Sequence, residues 1–129
     1  MRRFSLLLTC ASLMVTGVFA MTDGAAETKI QKAVVAFDEP TRLLNVTLKG
    51  QYLFVHDDER MARGEACTYV YTYTQDKQGD LVASFHCKPV PRQKAGRFSV
   101  TVTMQAGNLE LVEYQFEGSS EGHRVPVGK

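Results

Sequence analysis

Two cysteines, Cys67 and Cys87, bracket two stretches in which apolar and polar residues alternate by two around a run of turn formers. That period marks a strand, because successive side chains of an extended backbone point to opposite sides. In Cys67 to Thr74 one face carries Cys67, Tyr69, Tyr71 and Tyr73; in Leu81 to Lys88 one face carries Leu81, Ala83, Phe85 and Cys87. Between them Asp76-Lys-Gln-Gly-Asp80 is turn chemistry, with Gly79 free to take a positive φ. Folding there so that Tyr73 meets Leu81, Tyr71 meets Ala83 and Tyr69 meets Phe85 sets Cys67 opposite Cys87. Opposed residues on antiparallel strands have Cα atoms roughly 4.5 to 5.5 Å apart, within the span of a disulfide. The spacing therefore predicts a hairpin stapled by Cys67 and Cys87.

A disulfide needs an oxidising compartment, and the N-terminus supplies a route to one. Met1-Arg2-Arg3 gives a positive start, Leu6 to Phe19 an uncharged apolar run, and Val18-Phe19-Ala20 a cleavage site, so residues 1–20 read as a signal peptide and 21–129 as a single domain. The apolar run is short for a bilayer span, and Thr9 before Cys10 argues against a lipidated cysteine. The expected location is periplasmic or extracellular, with no stable membrane anchor after cleavage. Without Arg2 and Arg3, 13 basic side chains remain against 14 acidic ones, with no block of either sign, so nothing steers the chain toward nucleic acid or anionic lipid and no nucleic-acid partner is expected.

The rest of the domain keeps the same period. Phe98, Val100, Val102 and Met104 form one apolar face, and after Ala106-Gly107-Asn108 come Val112, Tyr114 and Phe116, giving the pairs Phe98 with Phe116, Val100 with Tyr114 and Val102 with Val112. Leu109 and Leu111 break the parity, so a bulge or register shift is expected just after this turn. Lys32 to Phe37 reads as a strand stopped by Asp38-Glu39-Pro40; Leu44, Val46 and Leu48 as another; and Lys49-Gly50 as a turn into Tyr52-Leu-Phe-Val55, apolar on both faces and hence central. Asp57 is placed to cap a short helix ended by Gly64, and Arg124 to Val127 to form a last strand. About seven short strands predict an all-β fold, an antiparallel sandwich or small barrel.

Phe37-Asp-Glu-Pro40 followed by Leu48-Lys-Gly-Gln-Tyr52-Leu-Phe54 resembles a loose group of small exported bacterial proteins of unknown function, which carry Phe-x-Glu/Gln-Pro, a Leu, a Gly turn and Tyr-x-Phe. The likeness covers about a fifth of the domain and lacks the Pro-Ala usual before the Gly. It implies export and an all-β domain, and carries no activity and no site residues.

No catalytic, nucleotide or metal motif is present. His56-Asp57-Asp58-Glu59 gathers an imidazole and three carboxylates where a strand ends, a set that could hold a divalent cation or pair an acid with a base. The plainer reading is a solvated loop with an Asp cap and local pairs to Arg60 and Arg63. Cys67, His86, Cys87 and His56 are ligands of the right softness for zinc or copper, yet His86 and Cys87 are consecutive in a strand and point apart. Ser119 and Ser120 lie in a Gly-rich tail without a nucleophile elbow, and His123 beside Arg124 is a candidate for binding an anion. Tyr69, Tyr71 and Tyr73 would stack on a sugar or base if exposed, but Leu81, Ala83 and Phe85 across from them argue for core. Asn45-Val46-Thr47 matches a glycosylation sequon.

The reading that follows is a non-catalytic exported domain acting in binding or structural association, with no cofactor and with a protein or small ligand as partner. Two alternatives stand beside it. One is a small hydrolase or metal-dependent enzyme built on His56, Asp57, Asp58 and His123. The other is a module that lends a sheet edge to a partner, for which a long uncharged edge strand is the mark; Arg42, Lys49, Lys88 and Pro89 to Pro91 read instead as edge protection.

Overall fold

The computed structural model describes residues 29–127; the expected signal peptide and Cys10 lie outside the described residues. Eight strands and one short helix follow in order: β1 Ile30–Leu43, β2 Val46–Asp57, α1 Asp58–Ala62, β3 Thr68–Thr74, β4 Lys77–Phe85, β5 Lys88–Pro91, β6 Ser99–Gln105, β7 Asn108–Gln115 and β8 Glu121–Arg124. All eight belong to one hydrogen-bonded sheet, in the order β4-β3-β2-β1-β7-β8-β5, with β6 paired to β7. The sheet curls into a half-barrel rather than splitting into the two facing layers of a sandwich. Nor is it wholly antiparallel, because β1 meets β7 in parallel over two rungs, Thr41 with Leu109 and Arg42 with Glu110. Among the described residues no helix is long and apolar enough to cross a membrane.

The curl makes the core. Phe54 of β2 and Tyr114 of β7 come from strands separated by β1, yet their ring centroids are 5.5 Å apart. Phe37, Leu43, Leu48, Val70, Phe85, Leu111 and Phe116 are buried with them, and Phe98 packs on Phe54 and Phe116 at 5.8 and 5.2 Å. β2 is interior, as its two apolar faces require: Phe54 looks into the curl, while Leu53 and Val55 pack with Tyr69 in a smaller cluster on the outer face.

The first hairpin departs from the expected register. Gln75 and Asp76 both take positive φ, 52° and 58°, and turn the chain in two residues, so the loop over Asp76 to Asp80 does not form and β4 begins at Lys77. Gly79, freed of the turn, sits where a Cβ would run into Thr72 Oγ1. The rungs become Tyr71 with Leu81, Val70 with Ala83, Tyr69 with Ser84 and Thr68 with Phe85. A slip of one residue exchanges faces. Val70, Ala83 and Phe85 therefore enter the core, and Tyr69, Tyr71 and Tyr73 pack outside, with the Arg60 guanidinium 4.4 Å above the Tyr69 ring and Leu81 half exposed. Cys67 and Cys87 are bonded all the same, their Cα atoms 6.2 Å apart. They sit diagonally rather than squarely opposite, in the stretch where both strands have ended.

In β1 a bulge absorbs residues that were expected to end the strand. β1 runs through Asp38 to Pro40: Phe37 pairs with Gly50 and Thr41 with Leu48, so three residues bulge against Lys49, and Pro40 needs no ladder partner there. The turn falls instead at Leu44-Asn45, and Gly50, at φ 90°, lies inside β2. In the second hairpin Val100 meets Tyr114 as expected, and the bulge expected after the turn falls at Val112, so Val102 meets Leu111 rather than Val112. The last strand is Glu121–Arg124 rather than Arg124 to Val127, and Lys88–Pro91 forms an edge strand of its own against β8. Arg42 and Lys49 are on interior strands and guard no edge. β6 does lie on an edge and has no charged residue.

Candidate metal centre at a buried histidine pair

Asp57 behaves as its neighbours dictate. Its carboxylate accepts from the backbone N–H groups of Glu59 and Arg60 at 3.0 and 3.2 Å, starting α1, and Gly64 takes φ 81° just past its end. The strand alternation that turns Asp57 outward turns His56 inward, on the same face as Phe54. His56 thus leaves the charged loop for the core, where its side chain is 2% exposed.

There it meets His123. β8 pairs His123 with Tyr114 on one side and with Pro89 on the other, and the imidazole stacks on the Tyr114 ring at 5.0 Å. The two imidazoles face each other with centroids 4.2 Å apart and planes tilted by 34°. Cys87 closes the group: one ligand atom from each of His56, Cys87 and His123 lies within 4.8 Å of the other two, and Cys87 Sγ is 3.6 Å from His123 Nδ1. Beside them the Tyr114 and Thr68 hydroxyls bond to each other. Tyr114 is held above its ordinary pKa, mainly by burial.

Both nitrogens of His56 and Nε2 of His123 lack a hydrogen-bond partner. Asp58 Oδ1 stands 3.2 Å from His56 Nδ1, but off the direction its ring N–H would take, so it acts as a nearby charge and not as an acceptor. Glu121 Oε1 is 3.7 Å from His123 Nδ1. The Asp58 side chain is 38% exposed and that of Glu121 54%, so two carboxylates border the sealed pair on the solvent side. Leaving a buried polar atom unpaired costs roughly 1 to 3 kcal/mol.

Burial disfavours a charged imidazole, so both histidines titrate below the ordinary 6.5. For His56 desolvation outweighs the opposing pull of Asp58; for His123 desolvation is reinforced by repulsion from His56 and brings the pKa to about 4. The unfolded chain then binds protons that the folded metal-free protein refuses, so this contribution to stability is whole above pH 6.5 and declines as pH falls toward 4. From pH 6.5 to 5, above most carboxylate titration, the metal-free protein is expected to lose about 2 kcal/mol, at about 1.4 kcal/mol per pH unit for each refused proton. Urea unfolding at the two pH values measures it, and a His56→Phe/His123→Phe variant should lose most of this dependence. An equal decline in that variant would contradict the assignment.

Other sequence candidates fall elsewhere. His86 is exposed and outside the cluster, as its opposition to Cys87 requires. Arg124, next to the buried His123, faces a concavity of about 520 Å³ where it and Arg92 share the Glu113 carboxylate, Arg92 bidentately at 2.7 and 2.9 Å. The Arg92 hydrogen bonds hold Glu113 below the usual carboxylate range. Ser119 accepts from the Glu121 N–H in a local turn. A second concavity, of about 210 Å³, is lined by Asp57, Arg60, Tyr69 and Tyr71 but not by His56. Sequence reasoning grouped His56 with His123 only as members of a possible exposed enzyme site; their burial and ring contact depend on β7–β8 and β8–β5 pairing, which leaves no local pattern. No family model, curated protein sequence or solved structure matches the chain.

Proposed function

We propose that this chain is an exported, non-catalytic binding domain whose ligand is a single zinc or copper ion held by His56 and His123. The observation that carries the reading is the pair itself: two sealed imidazoles in contact, with three of their four ring nitrogens unpartnered. Neutral imidazole is a ligand for both metals, and an ion would take the lone pairs that no protein donor occupies. Nitrogen ligands at about 2.0 to 2.1 Å from an ion need only a modest adjustment of rings already in contact. Asp58 and Glu121 favour a cation at the solvent side and can serve as outer-shell acceptors once the rings turn.

Space favours an ion over an organic substrate. Neither His56 nor His123 lines the concavities of about 520, 310 and 210 Å³, and the Asp57 carboxylate is engaged in capping α1. An enzyme built on His56, Asp57 and Asp58 would need these groups to open on one cavity. The proposed place of action is the oxidising compartment that the leader over residues 1–20 and the bonded cysteines call for.

Metal analysis of untagged protein, stripped with chelator, re-equilibrated with zinc(II) or copper(I) and desalted, tests the reading. One ion per chain is expected, lost in His56→Phe and in His123→Phe but kept in His86→Ala, with circular dichroism confirming that each variant folds. A chain that retains neither ion, or retains it equally in the His56 and His123 variants, would overturn the proposal.

A further inference from the structure

We infer that the Cys67–Cys87 disulfide gates this metal site: reduction by a dithiol turns two imidazoles into a site of two imidazoles and two thiolates. The inference rests on the metal reading of His56 and His123 and adds a regulator to it.

Four separate segments deliver the donors to one end of the half-barrel. His56 is next to last in β2; Cys67 directly precedes Thr68, the partner of His56 across the sheet; Cys87 lies just beyond β4; His123 comes from β8. The Asp57 N–H donates to the Cys67 carbonyl at 2.9 Å, tying that cysteine's backbone to the strand that carries His56. Cys87 Sγ already lies among the ligand atoms, and Cys67 Sγ is bonded to it. A disulfide sulfur is a poor donor to a metal, whereas a thiolate is among the best, and two histidines with two cysteines form a familiar tetrahedral zinc set. One further contact favours the opened form: the Cys87 N–H points at Cys67 Sγ from 2.9 Å, and an amide N–H stabilises a thiolate sulfur more than a neutral one.

The exchange balances without further reagents. Cys67 is buried and Cys87 only partly so, which directs attack to Cys87. A thiolate of the dithiol attacks Cys87 Sγ, the bond to Cys67 breaks, and Cys67 leaves as a thiolate. The second thiol of the reductant then attacks the mixed disulfide, releasing Cys87 as a thiolate and carrying both electrons' worth of oxidation away as a cyclic disulfide. Protons from the two reductant thiols pass to the cysteines or to solvent, and a metal entering the site displaces those that remain on sulfur.

The test compares untagged full-length protein as isolated with the same protein reduced by dithiothreitol and desalted without oxygen, each titrated with zinc(II) against a chelator and with cobalt(II) as a spectroscopic probe. The reduced form is expected to bind zinc on the order of a hundredfold more tightly, and its cobalt complex to show thiolate-to-cobalt charge-transfer absorption that the oxidised form lacks. Cys87→Ser should weaken zinc binding by the reduced protein and diminish that absorption. Equal affinity in both forms, with no charge-transfer band, overturns the gate while leaving a two-histidine site intact. Binding by neither form overturns the metal reading as well. If reduction unfolds the protein, zinc must restore its native circular dichroism, and failure to do so also overturns the gate.

Discussion

Truncation of Phe54 to alanine should lower the free energy of unfolding by about 4 kcal/mol, the largest loss expected from any single core substitution here. Phe54 is fully buried, and its ring meets Phe37, Phe98 and Tyr114 at centroid distances of 6.3, 5.8 and 5.5 Å. Those partners come from β1, the segment before β6, and β7, so this ring fills the space that the curl of the sheet encloses. Neighbours fixed to two separate strands and to the segment entering a third cannot readily collapse into the void, which puts the cost near the upper part of the range for aromatic truncation. Urea unfolding measures the loss. A change below about 1 kcal/mol would mean that Phe54 does not sit at the centre of a closed core.

Replacing both cysteines, as Cys67→Ala/Cys87→Ala, should cost about 3 kcal/mol, through the loop-closure entropy that a bridge spanning a sequence separation of 20 removes from the unfolded chain. At the usual 4 to 8 °C per kcal/mol for a domain of about 100 residues, thermal unfolding should move down by more than about 10 °C. A domain of the usual stability, about 5 to 15 kcal/mol, remains folded after such a loss. Calorimetry of the two proteins gives the shift, and an unchanged midpoint would show that the bridge constrains nothing the fold does not already hold.

Local features were legible in the sequence, and distant ones were not. Asp57 as helix cap, Gly64 as stop, the interior place of β2 and the meeting of Val100 with Tyr114 all follow from neighbours within a few residues or from strict alternation. The proximity of Cys67 to Cys87 was also foreseen, although the register used to derive it was off by one. That error began at Gln75, which pays the strain of a positive φ so that the hairpin can turn in two residues; nothing in glutamine announces it. The bulge at Asp38 to Pro40 hid strand continuity in the same way, since it looks like a break when read along the chain, whereas the broken parity at Leu109 and Leu111 did announce the bulge at Val112. His56 and His123 were named together in one alternative, but their contact in the core was not derivable, because β8 is four residues long and owes its place to pairing with β7 and β5.

The buried histidine pair as a metal centre is the claim on which the functional account stands, and the chain's three histidines supply both probe and control. Long-range nitrogen–proton correlation spectra of uniformly labelled, untagged protein, recorded during zinc titration, follow each imidazole separately. The account predicts that one ring nitrogen of His56 and one of His123 shift together to saturation at one equivalent, while the exposed His86 stays still. Movement of His86 with His56 and His123 unchanged would contradict it.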